Sequence, residues 1–356
     1  MSLPVGDLPE LRNSRCVRYR FRYSQCSRCA DSCPPGALTP GEEGVELDVT
    51  RCSGCGLCVP ACPVGAFHQP AFPAAALAKP ADKQLSVACK PSGEEGDLRI
   101  PCLGDIEPAL LASLAVRKIA VTLRGVGHCA ECAYAPQGGE ALQSLLAGME
   151  ALAESAPAHW SAPVVGGNVG GTGYRADRRQ LFRRFSNRAV QSIRDEGGVE
   201  EVPEQAIRAA AHFVPARRQL AERVLERLDG IDAGSPLPAL FGVAAVAPIT
   251  GRCTGCEACA RVCPTGALKI DEAESRWALR FRAVQCVGCG VCIEACGPEA
   301  LQLEPRWHPE SVESDSSLHE LGRYRCESCG RFFIGLENGS CPVCRDDEEN
   351  FDAIFG

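Results

Sequence analysis

No run of about 18 apolar residues occurs in the 356-residue chain, so no helix is expected to span a membrane. The opening Met1-Ser2-Leu3-Pro4-Val5-Gly6-Asp7 lacks the basic and apolar regions of a secretory signal, which points to the cytoplasm. Histidine is scarce: none of its 6 copies lies in an H-E-x-x-H motif or a partnered Ser/His/Asp set, so acid–base catalysis has no obvious seat. A sound nucleotide fingerprint is missing too. Gly171-x-Gly173-x-x-Ala176 has a similar spacing, but it follows only Pro163-Val164-Val165 and opens no βαβ unit. Positive charge is short at the C-terminal end, where residues 304–356 hold 12 acids against 5 arginines, or −7 of the net −8. Such a tail argues against nucleic acid as a partner.

Cysteine, by contrast, is abundant. Nearly all of its 24 copies sit in C-x2-C pairs, a closeness that suits metal better than a disulfide framework. The run C-x2-C-x2-C-x3-C stands twice in tandem, at Cys253, Cys256, Cys259, Cys263 and at Cys286, Cys289, Cys292, Cys296. A slightly broken pair precedes it, at Cys26, Cys29, Cys33 and at Cys52, Cys55, Cys58, Cys62. This spacing is the signature of iron–sulfur ligation: three thiolates hold one face of a cluster, and the fourth points away to ligate a second cluster.

The repeat extends past the cysteines. Pro34-Pro35-Gly36-Ala37, Pro63-Val64-Gly65-Ala66 and Pro264-Thr265-Gly266-Ala267 are copies of one turn, and Pro298-Glu299-Ala300 is a looser fourth. Both units (residues 14–72 and 240–305) resemble the bacterial two-cluster ferredoxin, with small hairpins and short helices wrapped around two cubanes. In the second unit the resemblance implies one [4Fe-4S] cluster on Cys253, Cys256, Cys259 and Cys296 and another on Cys263, Cys286, Cys289 and Cys292. In the first it implies one cluster on Cys33, Cys52, Cys55 and Cys58. The other has Cys26, Cys29 and Cys62, but Tyr23 occupies the expected first position. Either Cys16 supplies the fourth thiolate, or a three-cysteine site favours [3Fe-4S] or a labile [4Fe-4S] cluster; three or four cubanes result.

Residues 83–156 read as a small α/β domain, with strands at 85–88, 98–100 and 118–123 and helices at 107–116 and 140–154. Cys89, Cys102, Cys129 and Cys132 fall at its turns. Pro101-Cys102-Leu103-Gly104-Asp105-Ile106-Glu107-Pro108 and Gly127-His128-Cys129-Ala130-Glu131-Cys132 resemble the delta subunit of methyl-viologen-reducing hydrogenase. That resemblance implies a cluster on the four cysteines, here expected to be [2Fe-2S], with a zinc site or an empty domain as alternatives. His128 is an alternative ligand or an exposed loop residue.

Residues 157–235 read as a Gly-rich linker followed by helices, one basic (175–194) and one amphipathic (216–228). At 320–356, Cys326-x2-Cys329 and Cys341-x2-Cys344 make two knuckles for one tetrahedral metal. The segment resembles the rubredoxin-like end of rubrerythrins, including Phe351, and also zinc ribbons; zinc is expected, and iron is the alternative. The fold class is thus α+β and multidomain. Six groups of four would use all 24 cysteines and leave none as a covalent nucleophile. The chain reads as a non-catalytic electron-relay subunit among redox partner subunits of a hydrogenase, formate dehydrogenase or heterodisulfide-reductase-like enzyme. Alternatives are a reductase acting through Cys89, Cys102, Cys129 and Cys132, or a cluster-carrying assembly or sensor protein.

Overall fold

The computed structural model describes residues 7–69, 84–155, 165–167, 206–228, 245–304 and 315–345, and all 24 cysteines lie within them. The Gly171-x-Gly173 stretch, the basic 175–194 segment and Phe351 lie outside the described residues.

The repeated turn is the same in all four copies. Gly36, Gly65 and Gly266 have φ of 58°, 65° and 70°, the left-handed region that glycine enters without steric penalty. Glu299 takes the equivalent place in the looser copy and adopts it as well, at φ 53°. The following residue turns inward each time: Ala37, Ala66, Ala267 and Ala300 are all buried.

Each turn leads into a strand, and the two units share one plan. In the first, Leu38–Gly41 and Gly44–Leu47 form a hairpin, and Glu10–Leu11 pairs antiparallel with Phe67–His68. In the second, Leu268–Glu272 and Arg276–Phe281 form the hairpin, and Ala245–Pro248 pairs antiparallel with Leu301–Glu304. One-turn helices at Arg28–Asp31, Cys58–Ala61, Ala258–Val262 and Val291–Glu294 carry the central cysteines. The second hairpin is extended by Ser316–Arg325 and Phe332–Gly335 into a four-stranded antiparallel sheet, so the C-terminal knuckles grow directly from this unit. Trp277 and Leu279 fill the core beneath the sheet, and a ring nitrogen of buried His319 lies 3.0 Å from the Ala300 carbonyl.

Between the two units in sequence lies a four-stranded parallel sheet in the order Leu98–Ile100, Gln84–Cys89, Ala120–Arg124, Val165–Gly167. Its last strand comes from the Gly-rich stretch. Leu85, Val87, Val121 and Leu123 turn one face of the sheet into the core, whereas Ser86 and Thr122 between them are only half-buried. Helices Pro108–Val116 and Gln137–Ser155 share the core with the sheet, and Pro108 opens its helix where no amide partner is needed.

Residues 206–228 tie these parts together. The Arg208 amide donates to the Arg20 carbonyl, and the Phe213 amide to the Pro264 carbonyl, which joins the two ferredoxin-like units along one short segment. Helix Ala216–Leu225 then buries Ala221, Val224 and Leu225 in the core of the parallel sheet.

Candidate metal centres

Each cluster loop is shaped by its glycines and by amides that turn toward sulfur. The Ala37, Ala66 and Ala300 amides donate to the Sγ of Cys33, Cys62 and Cys296 at 3.2, 3.4 and 3.1 Å, four residues on each time. The repeated turn thus both sets the chain direction and stabilises negative charge on the fourth cysteine of each run. In the remaining copy, the Cys263 sulfur faces the Thr265 hydroxyl at 3.7 Å.

The thiols converge in fours. Cys33, Cys52, Cys55 and Cys58 act on one another electrostatically, and together they line a pocket with Pro35, Leu38 and Leu47. Cys16, Cys26, Cys29 and Cys62 form a second group. Cys16 is buried there at the entrance to helix Val17–Arg20, whereas Tyr23, at the position the repeat reserves for cysteine, is 59% exposed. Cys263, Cys286, Cys289 and Cys292 make a third group, and Cys253, Cys256, Cys259 and Cys296 a fourth.

Burial pushes several of these thiols up. Cys29 and Cys259 rise to about 12, and Cys55 and Cys286 to about 11, with neighbouring sulfurs adding to the effect. Thiols gathered in fours, most of them buried or half-buried, resist joint ionisation without a cation, and none of the 24 cysteines is in a disulfide. Clustered iron supplies that cation. The donor set, the cavity and the amides aimed at sulfur all fit a [4Fe-4S] group.

Cys89, Cys102, Cys129 and Cys132 also meet, around a partly open pocket that His128 and Tyr134 help to line. Cys89 and Cys102 are buried and Cys129 and Cys132 half-buried, so one side of the group faces outward.

At the C-terminal knuckles the four Sγ atoms of Cys326, Cys329, Cys341 and Cys344 all lie within 4.8 Å of one another. A tetrahedral ion with metal–sulfur bonds near 2.3 Å holds its sulfurs about 3.8 Å apart, and the Cys329–Cys341 separation is 3.9 Å. This group fits a single metal ion. The Cys341 amide, 3.1 Å from Cys326 Sγ, is the foremost of the hydrogen bonds that hold the Cys326 thiol down at about 6. Shared hydrogen bonds, first with Cys341, push Cys344 up to about 12.

The groups also succeed one another in space. Cys102 lies beside Cys55, and buried Tyr134 packs with Cys55, Leu57 and Cys102. Cys58 shares a core with Cys16, Cys29 and Cys62. The same core takes in Val262, Val287 and Val291 of the second unit, and the Arg28 guanidinium reaches the Gly288 carbonyl at 3.4 Å. Cys292 then lies beside Cys259. Ile334 of the knuckle sheet sits against Gly255, and both Ile334 and Cys253 border the core of the second unit. Arginines that the cysteine pattern does not flag line this path. Arg217 spans the Val59 and Pro60 carbonyls at 3.0 and 3.2 Å and Glu107 at 3.0 Å, which fastens the first unit to the parallel-sheet domain.

Comparison with known families matches two segments, residues 24–66 and 252–300, to the 4Fe-4S dicluster domain. No curated protein matches the chain. The matched segments are the two repeated units, and they define an iron–sulfur electron-transfer protein with ferredoxin-type 4Fe-4S domains. Among the described residues, no helix is long and apolar enough to cross a membrane.

Proposed function

We propose that this chain is an electron-relay subunit of a larger oxidoreductase, carrying electrons one at a time along a row of centres. The observation that supports this most is the succession of five cysteine groups, from Cys89, Cys102, Cys129 and Cys132 through both ferredoxin-type units to Cys253, Cys256, Cys259 and Cys296. In this reading Cys16 completes the second cubane of the first unit, the middle group holds a [2Fe-2S] cluster, and the terminal knuckles hold zinc. The resemblance of the middle domain to the delta subunit of methyl-viologen-reducing hydrogenase favours hydrogenase or heterodisulfide-reductase-like company, with formate dehydrogenase as a further candidate; this is analogy rather than chemistry of a site. The clusters supply one-electron chemistry. The residues of this chain hold them, exclude water from them and aim amides at their sulfurs.

Stoichiometric dithionite titration of the reconstituted full chain tests the reading. A relay takes up about one electron per cubane and returns them reversibly to a one-electron acceptor such as oxidised benzyl viologen. Irreversible bleaching on the first cycle would contradict it and would favour cluster delivery or sensing.

A further inference from the structure

Arg20 and Arg218 are 1% and 2% exposed, and among the described residues neither has a carboxylate within ion-pair distance. Arg20 donates to the Ala211 carbonyl and leaves Nε and Nη1 without a partner. Arg218 donates to the Cys286 and Ala283 carbonyls at 2.9 and 3.2 Å and leaves Nη1 without one. A buried cation with no counter-charge is strongly unfavourable, so something anionic is expected beside it. Arg20, which belongs to the first unit four residues after Cys16, faces Cys263 and Cys289 of the second, and Arg218 faces Cys286. Among the described residues, Glu222, one turn along its helix, is the carboxylate whose field reaches Arg218.

Among the described residues, no other group faces a buried cation without an ion pair: Arg217, which acts on Cys62, is held by Glu107. Among these residues, sulfurs and amides act on Cys253 and Cys259, and the Asp105 carboxyl, which burial pushes well up, acts on Cys58. A reduced cluster carries one more negative charge than an oxidised one. A fixed guanidinium in a dry site therefore favours the reduced form, whereas bulk solvent would screen it.

We propose that Arg20, seconded by Arg218, holds the cluster on Cys263, Cys286, Cys289 and Cys292 at a higher reduction potential than its outer neighbour on Cys253, Cys256, Cys259 and Cys296, so that electrons entering the row collect where the two units meet. The inference rests on cubanes filling both groups. In the step concerned, the outer centre loses one electron and the inner centre gains it. No bond forms or breaks and no proton moves. The first electron comes from a one-electron donor, dithionite in the test.

The test is an EPR-monitored potentiometric titration of the reconstituted full chain, with Cys256→Ser used to mark the signal of the outer cluster. The inner cluster is expected to reduce before the outer one. Arg20→Gln should lower its reduced-to-oxidised ratio at fixed potential at least tenfold, or about 59 mV for a one-electron couple, and Arg20→Lys should restore most of the loss. If Arg20→Gln loses iron, Arg218→Gln, expected to shift the ratio in the same direction, carries the comparison. With full iron content, an inner cluster that reduces after the outer one, or is unmoved in both glutamine variants, would overturn the proposal. A wild-type chain that binds no cubanes would instead refute the reading of the sites themselves.

Discussion

Two substitutions at equivalent turn positions should have opposite standing, and the difference can be worked from the backbone. Gly266 and Glu299 both follow the last cysteine of a run by three residues, at φ 70° and 53°. An L side chain in this region is disfavoured by about 1–2 kcal/mol. Gly266→Ala incurs that strain, offset by about 0.4–1 kcal/mol from the stiffer unfolded chain. Its new methyl would also stand 3.1 Å from the His212 ring, whose Nδ1 lies 3.1 Å from the Cys263 carbonyl. Strain less offset leaves about 0–1.6 kcal/mol, and the tight His212 contact places the expected net destabilisation in the upper part of that span, at about 1–1.4 kcal/mol. Glu299→Gly relieves the same strain, but it loses the exposed Arg252–Glu299 pair, under about 1 kcal/mol, and gains about 0.5–1 kcal/mol of chain freedom. These nearly cancel. The assay is anaerobic bleaching of the cluster absorbance in guanidinium chloride. Gly266→Ala should bleach about five- to tenfold faster than wild type, at about 1.4 kcal/mol per tenfold, and Glu299→Gly should stay within about twofold. If Glu299→Gly bleaches as fast as Gly266→Ala, the fourth turn is not a strained copy of the other three and the reasoning fails.

Two further outcomes follow from the thiol groups. Cys16→Ala should lower the iron content and give either a three-iron EPR signal or one fewer cubane, while Tyr23→Phe leaves both iron and EPR unchanged; a full iron complement in Cys16→Ala would refute ligation by Cys16. At the knuckles, Cys344 is held up to about 12 in the metal-free fold, so metal must displace at least its proton between pH 7 and 8, whereas Cys326, at about 6, has already lost its own. Affinity should therefore climb about tenfold per pH unit over that window, measured by competition with a chromophoric chelator on the full chain; a flat profile would count against this assignment.

The parts of the fold fixed by local chemistry were legible in the sequence. Cysteine spacing marked out the groups, because three thiolates on one short loop leave few other arrangements, and the Pro-x-Gly-Ala echo located the turns. Strand Leu98–Ile100 and the helix beginning at Pro108 stand within a residue of where periodicity and capping put them. What was not legible depends on partners distant along the chain. Arg28 meets Gly288 across 260 positions, and nothing local to either residue encodes that meeting. The amphipathic pattern of 216–228 announced a helix but not its partners, and Arg217 and Arg218 pin the first unit, the second unit and the parallel-sheet domain around it. Val165–Gly167 pairs with Ala120–Arg124 in the sheet, a strand that a Gly-rich composition conceals. Glu299 was a weak match because its side chain hides a conformation that glycine would have announced.

Anaerobic quantitation of iron, sulfide and zinc, with EPR of the dithionite-reduced chain, tests the multi-centre relay most directly. Four cubanes, one [2Fe-2S] centre and a zinc knuckle predict about 18 iron and about one zinc per chain, with interacting cluster signals. About 8 iron with two or more zinc would mean that a single dicluster unit is redox-active, and a continuous relay through the molecule would be contradicted.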